Sequence, residues 1–279
     1  MRIAVLSGKG GTGKTFLSVN LAYSINKSVY LDCDVEEPNG DIYFKGDYIA
    51  TNVEVDVPVI DHDACTLCGK CSEFCRFNAL AIIIDKVRVF SQLCHSCGGC
   101  KLVCPVGAIT EKKKVIGVVK ELDYDNHKII SGEMNIKEET GVKIIDQIIE
   151  KSKEFTDNIV IDCPPGNGCS VMACIRDADY CLLVAEPTVF GLHNLQMVYE
   201  LAKVFNKKTG IVINKANDND MINRFAEENS IEIIKEIPFD KKMGYLNSIG
   251  EIVSKEEKYS VIFKEIAQKI LGDRVWRNF

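Results

Sequence analysis

The sequence predicts an α/β chain: a doubly wound, mainly parallel sheet into which a small α+β segment rich in cysteine is inserted. Three observations predict it. Short apolar runs alternate with helical patterns along most of the 279 residues. A glycine-rich turn joins the first run to the first helical pattern. Two dense cysteine clusters interrupt the alternation, so we expect one domain from 1–56 and 118–279, with an insertion at 57–117.

The expected strands are short and rich in β-branched residues, as buried parallel strands are. They cover 2–7, 28–32, 158–162, 180–185 and 210–214. Helical patterns cover 14–26, 141–155, 193–206 and 220–229. A last amphipathic pattern at 259–271 has little basic enrichment, which favours a helix packed on the sheet over one that binds a membrane.

Composition and charge exclude several classes of protein. The chain is 46% hydrophobic and has a formal net charge of −6, so it has no global attraction to nucleic acid or to anionic lipid. The N-terminus lacks the charged-then-apolar order of a signal peptide, and no stretch has the length of a membrane span. We expect a cytoplasmic protein with no nucleic-acid partner and no membrane attachment.

The glycine-rich turn has the residues of a phosphate-binding loop. It fits GxxxxGK[ST] directly after a strand and at the start of a helix. In such a loop, backbone N–H groups and the helix N-terminus hold phosphate oxygens. We expect Lys14 to reach the β- and γ-phosphates and Thr15 to ligate Mg²⁺. The loop comprises Gly8, Lys9, Gly10, Gly11, Thr12, Gly13, Lys14 and Thr15.

Carboxylates follow two of the expected strands. Asp32 and Asp34 lie two residues apart at the carboxyl edge of the sheet, where ligands of open α/β sheets bind. Such groups hold Mg²⁺-bound water or position the attacking water in phosphoryl transfer. At this point, a pair of strand-end acids without that role remains an alternative. Asp162 ends an apolar strand of Walker B form and is expected to orient Mg²⁺ through water.

The second lysine of the loop makes a family resemblance specific. The residues KGGTGKT at 9–15 resemble the deviant Walker A motif of the MinD/ParA superfamily. The resemblance implies an ATP-dependent homodimer in which Lys9 reaches the nucleotide of the opposite subunit. It also implies that Asp34 orients the hydrolytic water and that Asp32 lies near the outer shell of the metal. Lys9, Lys14 and Asp34 are therefore the expected catalytic residues.

The same resemblance assigns three further residues. Gly166, four residues after Asp162, would offer its backbone N–H to the γ-phosphate. Asn214 ends a later strand and would hold the base, with Pro238 on a second segment beside it. An alternative in which Asn214 and Pro238 are plain turn residues stays open.

Eight of the thirteen cysteines form two similar runs, 29 residues apart, each with the spacing CxxCxxCxxxC. This is the spacing of bacterial two-cluster ferredoxins, in which the fourth cysteine of each run ligates the other cluster. Zinc is the alternative, but zinc sites usually use two CxxC pairs separated by a longer loop. We expect one [4Fe–4S] cluster on Cys65, Cys68, Cys71 and Cys104, and another on Cys94, Cys97, Cys100 and Cys75.

The other five cysteines are expected to lie in the core. Cys169 follows Asp162 by seven residues, a spacing that resembles a cluster-ligating cysteine of the nitrogenase iron protein. A second matching cysteine is not found, so a small buried hydrophobic residue is the favoured interpretation. Apolar strands and helices contain the remaining four, Cys33, Cys163, Cys174 and Cys181.

The whole chain resembles MinD-family ATPases that carry an inserted ferredoxin domain. This predicts a Mg²⁺-dependent ATPase whose ATP-dependent dimerisation is coupled to electron transfer or to Fe–S cluster handling, with a redox or Fe–S protein as partner. The alternative is a MinD-like regulatory or positioning switch that senses redox state. Redox turnover accelerated by ATP would favour the first hypothesis, and dependence on a cell-division partner would favour the second.

Overall fold

The structure is a computed structural model, and it describes residues 1–272. This part of the chain contains eleven strands, ten α-helices and one short 3₁₀ helix, Val253–Lys255. The strands are β1 (Arg2–Leu6), β2 (Ser28–Asp32), β3 (Ile49–Ile60), β4 (Leu80–Ile83), β5 (Lys86–Val89), β6 (Ile109–Tyr124), β7 (His127–Met134), β8 (Asn158–Asp162), β9 (Tyr180–Ala185), β10 (Lys208–Ala216) and β11 (Glu232–Pro238). The helices are α1 (Lys14–Ser24), α2 (Gly40–Tyr43), α3 (Lys70–Phe74), α4 (Gly99–Leu102), α5 (Val142–Ser152), α6 (Cys169–Arg176), α7 (Val189–Val204), α8 (Met221–Glu228), α9 (Lys241–Ser248) and α10 (Glu257–Leu271).

One nine-stranded sheet organises residues 1–272, in the order β11-β10-β9-β1-β8-β2-β7-β6-β3. The seven strands from β11 to β7 are parallel to their neighbours. The prediction of a mainly parallel α/β sheet is therefore confirmed. At one edge, β6 pairs antiparallel with both β7 and β3.

Helices cover both faces of the parallel strands because side chains alternate between the faces along each strand. In β1, Ile3 and Val5 pack in a core with α1 and α10. Ala4 and Leu6 pack in a second core with α5, α6, α7 and α8. Phe263 of α10 is fully buried against the sheet, so the C-terminal helix packs as expected.

The cysteine-rich region is joined to the sheet by two long strands. β3 and β6 pair continuously from Ile49 opposite Glu121 to Ile60 opposite Ile109, with one register shift. The expected boundaries at 56/57 and 117/118 both fall within these strands. The strands β4 and β5 and the helices α3 and α4 lie between them in the chain.

The 29-residue repeat is also present in the backbone of this region. Positive φ angles recur at matching positions, 56° at Leu67 and 53° at Ser96. Gly69 and Gly98 form a second matching pair, with φ angles of 80° and 71°. α3 and α4 then begin at Lys70 and Gly99, again 29 residues apart. The two cysteine runs are therefore held by two similar turns, each followed by a short helix.

Candidate functional site

The phosphate-binding loop connects β1 to α1 and is shaped by close contacts at two glycines. A Cβ atom at Gly8 would lie 2.4 Å from the carbonyl oxygen of Asn194 on α7. Gly13 has a φ of 88°, and a Cβ atom there would lie 2.2 Å from Nδ2 of Asn214. Larger residues at either position would displace the loop.

Asn214 contacts the loop directly. Its Nδ2 donates a hydrogen bond of 2.8 Å to the backbone carbonyl of Thr12, and the side chain is buried. The sequence pattern gives no signal for this contact, which joins residues 202 positions apart. Asn214 therefore holds the phosphate-binding loop in position.

Lys14 and Asp162 form a buried ion pair at the centre of the site. The Lys14 Nζ lies 2.7 Å from Asp162 Oδ1, with 6% and 0% of the two side chains exposed. Burial alone would lower the pKa of Lys14, but the charge and hydrogen bond of Asp162, together with the charges of Asp34 and Asp32, outweigh burial and raise that pKa. Ser18 and Tyr30 also donate to Asp162, at 3.1 and 3.0 Å. The Walker B carboxylate is thus fixed in position by three side chains.

Asp32 and Asp34 add negative charge beside this pair. Asp32 is buried and accepts backbone N–H bonds from Asp34, Asn39 and Gly40 at 2.8–3.2 Å. Burial, with the neighbouring Asp162 charge, raises the pKa of Asp32 to about 7. Burial likewise raises the pKa of Asp34 to about 6, against the opposing effect of Lys14. A cation bound nearby would relieve this concentration of negative charge.

These residues fit an Mg²⁺ site that a nucleotide completes. Within residues 1–272, no set of three or more His, Cys, Asp or Glu side chains is arranged around a single ion position. Mg²⁺ usually takes only one or two carboxylates from the protein, and phosphate oxygens and water supply the rest. Thr15 is the last residue of the loop motif and the second residue of α1, where its hydroxyl would serve as the protein ligand.

Gly166 lies in the loop that follows Asp162. Its φ is 93°, and its N–H donates a 3.0 Å hydrogen bond to the Ser7 carbonyl at the end of β1. The resemblance to the MinD/ParA superfamily assigns this N–H to the γ-phosphate. In this conformation it is hydrogen-bonded within the protein instead. Contact with a phosphate would require that bond to break.

Lys9 contacts the first turn of α7. Its Nζ lies 4.9 Å from the centroid of the Phe190 ring on α7, a cation–π contact. Its backbone carbonyl accepts a bond from the Ser7 hydroxyl at 2.9 Å. Phe190 is 60% exposed, so Lys9 and Phe190 together form part of the surface around the loop.

The structure places Asn214 and Pro238 on the wall of one cavity. Its volume is about 180 Å³, and it also touches Gly11 and Gly13 of the loop. Phe239, which follows Pro238 in the expected base-side segment, lies on its wall too, and Asn247 joins them without having been expected from the sequence. The cavity thus adjoins the phosphate-binding loop on the side where β10 and β11 end.

Each expected set of four cysteines lines its own cavity. Those of the second set, together with Phe77 and His95, surround a space of about 340 Å³. The first set lines a smaller space of about 20 Å³ with mostly aliphatic neighbours. In each cavity, the fourth cysteine comes from the other run. These sets are Cys75, Cys94, Cys97 and Cys100, and Cys65, Cys68, Cys71 and Cys104.

The thiols of the two sets share two chemical features. All eight are free cysteines. Burial raises the pKa of Cys100 to about 11, and Cys94 and Cys97 add to the effect. Burial also raises the pKa of Cys71, and one of the contributing neighbours is Cys104 of the other run. Crowded thiols of this kind are stabilised as thiolates when iron binds them.

The other cysteines divide into two groups. Four of them have no exposed surface and lie in the core, as expected: Cys33, Cys163, Cys174 and Cys181. Cys169 is exposed, so the expectation of a buried residue was wrong. It is the first residue of α6 and lines a cavity of about 250 Å³ that also contains Cys94 and His95. The spacing along the chain did not reveal this position, because the cavity wall comes from several segments that are distant in the sequence.

The glycine loop, the buried lysine–carboxylate pair and the parallel sheet define a P-loop nucleotide-binding protein. The chain belongs to the CobQ/CobB/MinD/ParA nucleotide binding domain family, whose model matches residues 3–165. Two uncharacterized proteins of Methanocaldococcus jannaschii are 32% and 33% identical to it, each over 97% of this chain and over 98% and 96% of their own lengths. The septum site-determining protein MinD of Bacillus subtilis is 21% identical over 98% of this chain and 90% of its own.

The fold is shared with a solved structure of a septum site-determining protein. MinD of Pyrococcus horikoshii, complexed with Mg-ADP, superposes with a TM-score of 0.60 and 20% identity, covering 97% of this chain and 96% of that one. Among the helices within residues 1–272, none combines the length and apolar character needed to cross a membrane.

Proposed function

We propose that the protein hydrolyses ATP with Mg²⁺, dimerises when ATP is bound, and holds two [4Fe–4S] clusters whose electron transfer or cluster handling is coupled to that cycle. One observation carries the proposal: a complete phosphate-binding loop occurs in the same chain as two cavities that are each lined by four cysteines in crossed sets. The expected partner is a redox or Fe–S protein.

The proposed roles follow the positions of the side chains. Lys14 leaves Asp162 to bind the β- and γ-phosphates, and Thr15 and Asp162 hold Mg²⁺ directly and through water. Asp34 orients the attacking water, and Asp32 supports the outer shell of the metal. Asn214 and Pro238 hold the base. A 21% identical relative named as an ATP-binding protein, and the Mg-ADP complex of MinD, support these assignments.

The path of the chain between the two sites supports their coupling. The loop after Asp162 leads to Cys169, which lines one cavity with Cys94 of the second cysteine set. Lys114 on β6 also bonds the Ser91 carbonyl at 3.1 Å and the Glu138 carboxylate at 2.8 Å. A movement of the loop when ATP binds would therefore reach the second cysteine set first.

Similarity to MinD favours a second candidate function, a positioning switch in which the cysteines sense redox state. The two hypotheses differ in a measurable way. Electron transfer or cluster handling requires ATP to accelerate oxidation or loss of reduced clusters. A positioning switch requires only that redox state alter ATP-dependent assembly. Anaerobic stopped-flow oxidation of the reduced protein by an added one-electron acceptor, with ATP and with ADP, tests the first, and no nucleotide effect would favour the switch.

Replacing Asp34 by alanine should leave ATP binding intact and slow hydrolysis by about 10²-fold or more, because the attacking water loses its orienting carboxylate. The ATP-bound dimer should then accumulate. Anaerobic sedimentation with ATP and with ADP measures it, and Asp41→Ala, on the exposed helix α2, is the control. Normal turnover in Asp34→Ala would contradict the assignment.

Replacing Lys9 by alanine should weaken ATP-driven association without unfolding the chain, because the side chain lies on a surface loop. If Lys9 acts on the opposite subunit's nucleotide, wild-type hydrolysis per chain should also rise with protein concentration. Light scattering and a concentration series check both points. The contrary result is full activity and full dimerisation in Lys9→Ala.

A further inference from the structure

The two cysteine runs have different surroundings. The cavity of the second set shares part of its wall with another cavity, which Cys169 and Thr140 of the nucleotide-binding domain also line. The cavity of the first set is lined only by residues between 60 and 109, within the cysteine-rich region. The second run therefore lies against the nucleotide-binding domain, and the first run is the one that another protein can approach.

An exposed apolar face lies beside the first run. Leu67 and Val106 are 38% and 46% exposed and line the cavity of the first set, together with the exposed Cys68. Ile82 adjoins them, because its Cδ1 lies 3.9 Å from the position of a Cβ atom at Gly69, which lines the same cavity. Contiguous exposed apolar residues of this kind mark contact surfaces for other proteins. Leu67, Ile82 and Val106 are called the apolar face below.

Carboxylates border the apolar face. Asp61, Asp63 and Glu73 are exposed, and none of them forms an ion pair within residues 1–272. One oxygen of Glu73 lies 3.6 Å from the Cβ position at Gly69. The segment 61–73 contains these three acids and one lysine, so its formal charge is −2. An Fe–S cluster held by four thiolates would add further negative charge.

The matching segment of the second run lacks these carboxylates. At an offset of 29 residues, the three acids are replaced by Phe90, Gln92 and Leu102. The segment 90–102 has one lysine and no acid, so its formal charge is +1. Two runs with the same cysteine spacing thus differ in charge. The carboxylates are therefore a property of the first run's surface and are not required by the cysteine spacing.

The basic residues of the neighbouring hairpin do not neutralise these carboxylates. Lys86 and Arg88 flank Val87 on β5, and the Val87 side chain is buried and lines the cavity of the first set. Because side chains alternate along a strand, the two cations lie on the opposite face of the hairpin. The negative charge beside the apolar face favours a positively charged partner, since complementary charges steer the encounter of two proteins.

We propose that a basic one-electron carrier protein docks on the apolar face and exchanges electrons with the cluster of the first set. The proposal rests on the proposed function, because it requires that cluster. Positive charges around the carrier's redox centre face the three carboxylates. One electron passes from the reduced cluster to the oxidised centre of the carrier, and no atom is transferred. Such electron-transfer encounters use small interfaces.

Stopped-flow oxidation of the reduced, cluster-loaded protein by oxidised cytochrome c, a basic one-electron acceptor, tests the proposal. The first triple variant carries Asp61→Asn, Asp63→Asn and Glu73→Gln. Its second-order rate constant should be at least about tenfold lower than that of the wild type at low ionic strength, because the steering charge is lost. The difference should shrink as salt is added, since salt screens exposed charges.

A matched control removes the same charge elsewhere. The second triple variant carries Asp218→Asn, Glu227→Gln and Glu228→Gln, which are exposed positions before and on α8. α8 connects β10 to β11, at the edge of the sheet opposite β3. This variant should change the rate constant by less than about twofold, because its charges lie far from the docking surface.

Leu67→Ser tests the apolar part of the surface. Serine occupies the matching position 96, with a φ of 53° against 56° at Leu67, so the substitution suits the backbone. The rate constant should fall by about threefold or more. Leu102→Ser removes a leucine that is 85% exposed beside the second run and should change nothing. If Leu67→Ser instead abolished self-association, a second copy would be the occupant and the proposal would be wrong.

Carbodiimide cross-linking to the lysines of cytochrome c reports docking without electron transfer. We expect peptide mass spectrometry to find the links at Asp61, Asp63 or Glu73. Links confined to other carboxylates would overturn the proposal. Equal rate constants for the two triple variants would overturn it as well.

Oxidation by a small uncharged quinone separates this proposal from the proposed function. If every variant holds both clusters and reacts with the quinone at the same rate, while the two triple variants do not differ with cytochrome c, only the docking surface is wrong. A protein that lacks clusters and does not react with the quinone would overturn the proposed function, and this inference with it.

Discussion

Lys14→Ala is expected to abolish ATP hydrolysis, lowering the rate by at least about 10²–10³-fold, because a preorganised charge on the transferred phosphoryl group is lost. The side chain is 6% exposed and paired with Asp162, so the substitution also leaves a carboxylate buried without its cation. Some loss of stability should accompany the loss of activity.

Two measurements separate these effects. Phosphate release reports hydrolysis, and thermal unfolding reports stability. Lys14→Met keeps the length of the side chain without its charge, and Lys27→Ala removes an exposed lysine beyond the end of the same helix. We expect both Lys14 variants to be inactive and Lys27→Ala to be active. Hydrolysis at a normal rate by folded Lys14→Met would contradict the site.

Cys104→Ser is expected to destroy the cluster proposed on Cys65, Cys68 and Cys71 while leaving the other proposed cluster in place. The reason is that Cys104 lines the cavity of the first run, although it belongs to the second run in sequence. Cys75→Ser is the matched variant, since Cys75 lines the cavity of the second set. It should damage the opposite cluster.

Electron paramagnetic resonance of the reduced variants, with iron analysis, distinguishes the two outcomes. Each variant should lose about half of its iron and should retain a different one of the two cluster signals. If each variant instead lost the cluster of its own run, ligation would not be crossed. Identical spectra from the two variants would contradict the assignment in the same way.

The central strands were predictable because they are buried on both faces. The segments 28–32 and 158–162 are continuous apolar runs that end in aspartate, and the observed β2 and β8 have the same bounds. β6 was not predicted, because lysines at 112–114 interrupt its apolar residues. β6 pairs with β3, which is far away in the sequence. The periodicity of a local segment does not predict such a pairing.

The candidate site was predictable where a motif fixes both the residue and its place. The loop lysine and the strand-end aspartates meet because strands β2 and β8 are neighbours, with Asp32 opposite Asp162. The contact of Asn214 with the loop and the exposure of Cys169 were not predictable. Both depend on how distant segments pack together.

Chemical analysis of the anaerobically purified protein tests the central claim most directly, because the proposal depends on two complete sets of cysteines in the same chain as a nucleotide site. It predicts about eight irons and eight acid-labile sulfides per chain, with broad visible absorption that bleaches on reduction. One or two zinc ions per chain, with no sulfide and no visible absorption, would contradict the account.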